Sequence, residues 1–357
     1  MLTTEIAVIG GGPAGLCAAL AAAGQGAEVT IIDRESTLGG QLVKQTHQFF
    51  GSEEQMAGTR GIEIGEILAE KCKNHSHIEI MTDCPVLSIY HDGVIALEKE
   101  ERYEKMVARQ TIIATGASEN YLPFPNNDLP GVYGAGAVQT LMNQYGVLPG
   151  NKVLMIGAGN IGLIVSYQLV QAGVEVAEII EALPEIGGYH VHAAKIRRMG
   201  VDISVSHTIT KAIGENWVEG AEICQVDENW QKVSGSEREL DVDAICLAVG
   251  LSPLQDLLRH IGCEMEYVPE LGGYTPVRDE NMETTISGYF VAGDVAGVEE
   301  ASSAMMEGRI AGAEAAQAIG YDKNADEVKE KYQSELETLR AGPVGEEISE
   351  GLNKVKF

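Results

Sequence analysis

Residues 5–15 read EIAVIGGGPAG and residues 28–33 read EVTIID. The short apolar run over 5–9 is stopped by three glycines, which predicts a buried strand ending in a tight turn. Pro13 sits where a helix's first turn needs no N–H, and the alanine-rich stretch to Gly24 predicts that helix. A second strand over 28–32 completes a βαβ unit of about 30 residues. The three spaced glycines differ in role. Gly10 permits the turn, Gly12 lets the backbone approach a diphosphate, and Gly15 lets helix and strand pack closely. The helix start at Pro13 and Ala14 offers unpaired N–H groups and a partial positive charge. Asp33, 23 residues after Gly10 and followed by Arg34, stands where an acid accepts hydrogen bonds from ribose hydroxyls.

The pattern returns 147 residues later, with an apolar run over 152–156 entering Gly157, Gly159, Asn160, Ile161 and Gly162. This predicts two dinucleotide-type folds in tandem, a domain duplication rather than a solenoid. The second acid, Glu181, comes 24 residues after Gly157, one more than in the first copy. The longer interval places Glu178 inside a strand, where a bulge or an edge position is required. An acid at that strand end favours a 2′-hydroxyl over a 2′-phosphate, hence NAD(H) over NADP(H). A degenerate second site, or one for another adenine nucleotide, stays open.

Between the copies, alternation at 78–80, 86–90 and 94–97 suits a small antiparallel meander. An apolar strand then ends at Ala114, Thr115 and Gly116, with a counterpart over 244–250 ending at Gly250. Leu122 to Gly131 has the Pro, Asn and Asp content of a linker. A later strand over 288–292 runs into Gly293 and Asp294, and a small-residue helix is expected from about Ser302 to Ile319. Residues 322–340 are helix-prone, and the Gly- and charge-rich stretch after them is expected to be mobile.

The chain has 357 residues, enough for two or three domains. Its net charge of −28 argues against nucleic acid and anionic membrane as main partners. Six cysteines without a CxxC pair argue against an iron–sulfur site, a zinc site and a redox disulfide, and fit a reducing cytoplasm. The uncharged stretch from Ile6 to Glu28 contains three glycines and a proline and lacks a basic leader, so it reads as a buried strand–turn–helix.

Gly10–Gly15, Asp33, Gly39-Gly40-Gln41, Ala114-Thr115-Gly116 and Gly293-Asp294, in that order, resemble the fingerprint of two-dinucleotide-domain flavoproteins of the thioredoxin-reductase and glutathione-reductase type. The resemblance implies an α/β fold of two Rossmann-like domains, the second inserted in the first. It covers residues 1 to about 320 and implies FAD in residues 1–117 and 265–320 and a pyridine nucleotide in 118–264; composition alone makes 321–357 a charged helix and tail. Asp294 is implied to hold the ribityl or phosphate side of FAD, and Gly40 and Gln41 to approach the flavin. Val86 is implied to meet the adenine through its backbone, and the helix starting near Ala301 to aim N–H groups at the flavin ring.

Both cysteine arrangements of those disulfide reductases are missing, so neither disulfide mechanism is expected. Residues 187–200, GGYHVHAAKIRRMG, together with Leu129–Val132, resemble alpha-type subunits of heteromeric amino-acid and opine dehydrogenases and oxidases. That group includes the sarcosine oxidase alpha subunit, L-proline dehydrogenase alpha, opine oxidase and a hydrogen cyanide synthase subunit. It implies an FAD-dependent oxidoreductase in a hetero-oligomer. The implied partners are a catalytic beta subunit of the amino-acid oxidase type and a small ferredoxin-like subunit. Two alternatives stand beside it: a stand-alone NADH:acceptor flavin reductase, and a nucleotide-binding structural subunit without turnover. His190 and His192 are expected at a surface or interface, Cys17 in the core, and His47 near the flavin or a partner. No metal site and no catalytic side chain is assigned.

Overall fold

A computed structural model describes residues 1–357, the side chains of residues 343 and 344 excepted. The first leg runs β1 (Leu2–Ile9), α1 (Pro13–Gln25), β2 (Val29–Ile32), α2 (Gly61–Lys73), β3 (Ile78–Met81), β4 (Val86–Ile89), β5 (Val94–Lys99) and β6 (Arg102–Ile113). After the short β7 (Ala117–Glu119) come β8 (Val132–Gly134), α3 (Ala135–Tyr145), β9 (Lys152–Ile156), α4 (Asn160–Gln171), β10 (Glu175–Ile180), α5 (His190–Arg198) and β11 (Ile203–Ser204). Then follow β12 (His207–Ile213), β13 (Gly220–Gln225), β14 (Arg238–Leu240) and β15 (Ala244–Leu247). The return leg holds β16 (Leu251–Pro253), α6 (Asp256–His260), β17 (Met265–Val268), β18 (Gly273–Pro276), β19 (Tyr289–Val291), α7 (Ala301–Gln317), α8 (Ala325–Leu339) and α9 (Pro343–Lys354).

Two compact units result, one of Met1–Ser118 with Leu251–Phe357 and one of Glu119–Gly250. The first is built on a sheet of order β3-β2-β1-β6-β5-β4. β6 is long enough to serve two roles: Arg102–Val107 pairs antiparallel with β5, and Thr111–Ile113 pairs parallel with β19. Side chains alternate across β1, so Ile6 and Val8 join α1, α2 and α7 in one core while Ala7 and Ile9 join the meander and α6 in the other. The second unit has a parallel sheet β11-β10-β9-β15-β8. Val153 and Met155 pack under its helices, whereas Leu154 and Ile156 pack under β12–β14. Among the described residues no helix is long and apolar enough to cross a membrane.

Four expectations are corrected. Residues 78–81 are not part of the meander; α2 precedes them, and the crossover lays β3 parallel to β2. Return to the first unit comes at residue 251, not 265, because Leu257, Leu258, Ile261 and Cys263 fill its core. The 122–131 stretch is seated rather than free, with Leu122, Phe124 and Leu129 packed against the second unit's core. The final stretch is helical: Ile348, Leu352 and Val355 pack on Val268 and Leu271, and Lys354 pairs with Glu270 at 2.6 Å.

All six cysteines are buried, Cys17 within the core of the first unit. Burial pushes the Cys72 thiol up to about 12, with Cys17 adding to the effect, and burial likewise raises Cys246. The folded protein is therefore expected to show no fast reaction with an aromatic disulfide reagent, and all six thiols should react after denaturation. A thiol that titrates rapidly in the native protein contradicts this placement.

Candidate functional site

The first glycine loop is fixed by its own backbone. Gly10 has φ +108°, its N–H donates to the Ile32 carbonyl at 2.9 Å, and an added Cβ would lie 2.3 Å from the Ala114 oxygen. A Cβ on Gly15 would lie 1.8 Å from the Gly10 oxygen, so the strand, the turn and α1 leave room only for hydrogen at both positions. Gly12 differs: its φ is −79°, and the nearest atom to an added Cβ is the Gly40 Cα at 3.8 Å. Nothing in the protein requires glycine at residue 12, so a ligand could approach the backbone there. No side chain caps α1 and no acid stands in its first turn. These features fit a diphosphate against the helix start.

Asp33 closes the far end. One carboxylate oxygen accepts from the Gly11 N–H and the other from the Glu35 N–H at 2.8 Å. The Cys84 N–H donates to the Asp33 carbonyl at 2.9 Å, which brings Val86, at the head of β4, to the same end. The Gly39 N–H donates to Gly11 at 2.8 Å, laying Gly39-Gly40 across the loop. Ala114 donates to Ile9 at 2.8 Å, and the Thr115 hydroxyl donates to the Leu254 carbonyl at 2.9 Å, which leaves Gly116 unhindered at the sheet's carboxyl end. Gly293 packs on Ala14, and its N–H donates to Glu307 at 2.9 Å. Asp294 starts the turn between β19 and α7, whose first residue is Ala301. Burial, together with Glu307 and Glu299, pushes the Asp294 carboxyl up to about 7. Arg34 and Gln41 are exposed; Arg34 pairs with Glu35 at 3.3 Å rather than turning to the loop.

The second unit repeats this construction. Gly157 has φ +103° and would clash with Ala248, Gly162 would clash with Gly157, and Gly159 has nothing within 4 Å of an added Cβ. Glu181 accepts from Ala158 N–H at 2.8 Å and Leu183 N–H at 3.0 Å, matching Asp33. The extra residue in the second spacing is absorbed by a bulge in β10 between Val176 and Glu178, so Ile180 pairs with Ile156 as Ile32 pairs with Ile9. Glu178 is buried there; burial opposes its charge, but Arg238 and the Ser204 hydroxyl hold its carboxyl below the ordinary range. Gly250 ends the neighbouring turn with φ +95°.

Three placements differ from the sequence reading or extend it. Asn160 uses its side-chain oxygen to accept from the Tyr189 N–H at 2.8 Å, and Ile161 is exposed. His190 is exposed, but His192 is buried beside the Tyr189 ring (6.2 Å between centroids), and burial lowers its pKa. His47 stacks on Phe49 with centroids 5.6 Å apart. The pair Gly187-Gly188, quoted above only for the alpha-subunit resemblance, is also the second unit's counterpart of Gly39-Gly40. Gly188 donates to Ala158 at 2.9 Å, much as Gly39 donates to Gly11, and the signal was the repeated spacing Asp33-x5-Gly39-Gly40 and Glu181-x5-Gly187-Gly188.

A family model described as pyridine nucleotide-disulphide oxidoreductase matches residues 4–318. An opine oxidase subunit of Agrobacterium tumefaciens (strain Ach5) is 27% identical over 325 residues, covering 86% of this chain and 64% of that protein. The crystal structure of L-proline dehydrogenase from P. horikoshii superposes with a TM-score of 0.71 at 24% identity, over 93% of this chain and 59% of that one. T. acidophilum thioredoxin reductase gives 0.74 at 22% identity, over 89% of this chain and 99% of that one. The two structures share the fold, and the chain spans a little under two thirds of the opine oxidase subunit's length.

Proposed function

The chain belongs to the pyridine nucleotide-disulphide oxidoreductase family, and on that premise we propose that it is an FAD-dependent oxidoreductase, the alpha-like subunit of a heteromeric amino-acid or opine oxidase or dehydrogenase. The observation that carries this reading is the pair of matched glycine loops, each with an acid held by two backbone N–H groups and a middle glycine at which an added Cβ would meet no clash. In the first loop Gly12 and the α1 start would hold the FAD diphosphate, Asp33 the adenosine ribose, and Asp294 the ribityl or phosphate side. In the second, Gly159 and the α4 start would hold the diphosphate of NAD(H), with Glu181 on its ribose. Flavin supplies hydride and electron transfer when bound, while this chain binds, orients and shields. The burial of all six thiols supports an oxidase-type subunit over a disulfide reductase.

The assembly reading rests on the likeness to the Agrobacterium opine oxidase protein, whose name makes it one part of a larger enzyme. It expects a beta chain of the amino-acid oxidase type to co-purify from the native host, and repeated purification without one retires it. The completeness of both loops also favours a second reading, an NADH:acceptor reductase active without a partner. NADH-driven dye reduction by the isolated chain at a full rate that a co-purified partner chain does not raise favours the second reading.

Glu181→Ala tests the nucleotide preference. A carboxylate fixed by Ala158 and Leu183 repels a 2′-phosphate, so its removal should weaken NADH relative to NADPH by roughly tenfold or more. An unchanged ratio of the two dissociation constants retires the NAD assignment.

A further inference from the structure

The matched family region ends at residue 318, yet α8, α9 and the last residues are built into the first unit around a buried cluster of charges. Arg340, just after α8, forks onto Glu299 with Nε at 3.1 Å and Nη2 at 2.6 Å from its two oxygens. The same Nη2 donates to Glu307 at 2.7 Å. Glu307 in turn accepts the Gly293 N–H at 2.9 Å through its other oxygen. Arg278 lies 3.6 Å from Glu307, is 4% exposed, and exchanges backbone hydrogen bonds with Val355 and Phe357. Asp294, next to Gly293, completes the group, with the Glu299 N–H donating to its carboxyl.

We infer that Arg340 is a positioning residue of the flavin site: through Glu299 and Glu307 it fixes the Gly293 amide and sets the protonation of Asp294, making flavin affinity pH-dependent. This rests on the assignment of FAD to the first glycine loop. The argument is one of charge. Two guanidinium groups, Arg278 and Arg340, face three carboxyls, Asp294, Glu299 and Glu307; Arg278 and Glu307 are buried and the other three are half-buried. Carboxylates that outnumber the cations in so sheltered a cluster do not all ionise at little cost, so one holds a proton. Burial raises Glu299 as well, but Arg340 forks onto it and Glu307 meets both guanidinium groups, whereas Asp294 has no guanidinium partner among the described contacts, so the proton is placed on Asp294. FAD adds two phosphate charges, so the protonated site binds it more tightly, and affinity falls as pH rises through the carboxyl's range near 7.

The test is FAD titration of the flavin-stripped full chain between pH 5.5 and 9, followed by quenching of flavin fluorescence. The wild type should show a break in its dissociation constant near pH 7. Arg340→Gln removes one of two cations and should move the break up by roughly one pH unit. Glu299→Gln removes one of three carboxylates and should move it down, and Arg340→Lys should leave it near the wild-type position. A merely structural role weakens binding at every pH without moving the break. If Arg340→Gln does not fold, Glu299→Gln decides: a downward move supports the inference. Coincident breaks in wild type and Glu299→Gln overturn it while leaving FAD binding intact. A wild-type chain that takes up no FAD at any pH overturns the FAD assignment itself.

Discussion

Gly12→Asp is expected to give a chain that folds and melts like the wild type but has lost its flavin. Gly12 has ordinary backbone angles, and an added Cβ meets nothing closer than 3.8 Å, so the side chain is accommodated in the empty protein. It would stand at the start of α1, which no side chain caps. An aspartate there fills the space proposed for the FAD diphosphate and competes for the same N–H groups while repelling the phosphates. The combined loss is on the order of 3 kcal/mol, about 100-fold in affinity. Gly10→Val is the contrasting control, since its Cβ would strike the Ala114 carbonyl at 2.3 Å and destabilise the unit itself. If Gly12→Asp purifies with a full complement of flavin, the first loop does not hold FAD.

The second large effect is one of folding. Gly308 and Gly312 on α7 face α1 so closely that an added Cβ would lie 2.1 Å from the Ala14 and Ala18 carbonyl oxygens respectively. Gly312→Ala gains about 1 kcal/mol in helix propensity. Against that stands a contact with backbone, which cannot swing aside as a flexible side chain would. Overpacking typically costs about 1–3 kcal/mol, and for Gly312→Leu the expected loss is at least about 3 kcal/mol. Because α1 and α7 both begin at the proposed FAD site, the same change should loosen flavin as it lowers the melting temperature. Denaturant unfolding of Gly312→Ala and Gly312→Leu checks the order; equal stability to wild type means the helices are not in this contact.

The glycine loops were legible because each residue there answers a local backbone demand that sequence displays: a positive φ at Gly10, a clash at Gly15, an acid at a fixed distance. Even the bulge at Val176–Glu178 could be read, since one surplus residue must leave a regular ladder. What stayed hidden depended on distant partners. Glu307 sits in a helix of small residues and reads as a solvated acid until Gly293, Arg278 and Arg340 converge on it from remote positions in the chain. Ile348 and Leu352 are too few to announce a packed helix; it is the remote Val268 and Leu271 that they pack on. The change of unit at residue 251 carries no motif, because Leu257 and Leu258 look like any core residues. His192 was misplaced because its burial beside Tyr189 follows from how the turn at Gly187–Gly188 enters α5.

The central claim, that this chain holds FAD and a nicotinamide nucleotide in redox exchange, is tested most directly by an anaerobic NADH titration of the purified protein followed in the visible spectrum. The account expects flavin absorption that bleaches in proportion to the NADH added, with NADPH less effective. Flavin bands that persist under excess NADH would contradict it, and would mean that electrons reach the flavin from elsewhere in an assembly.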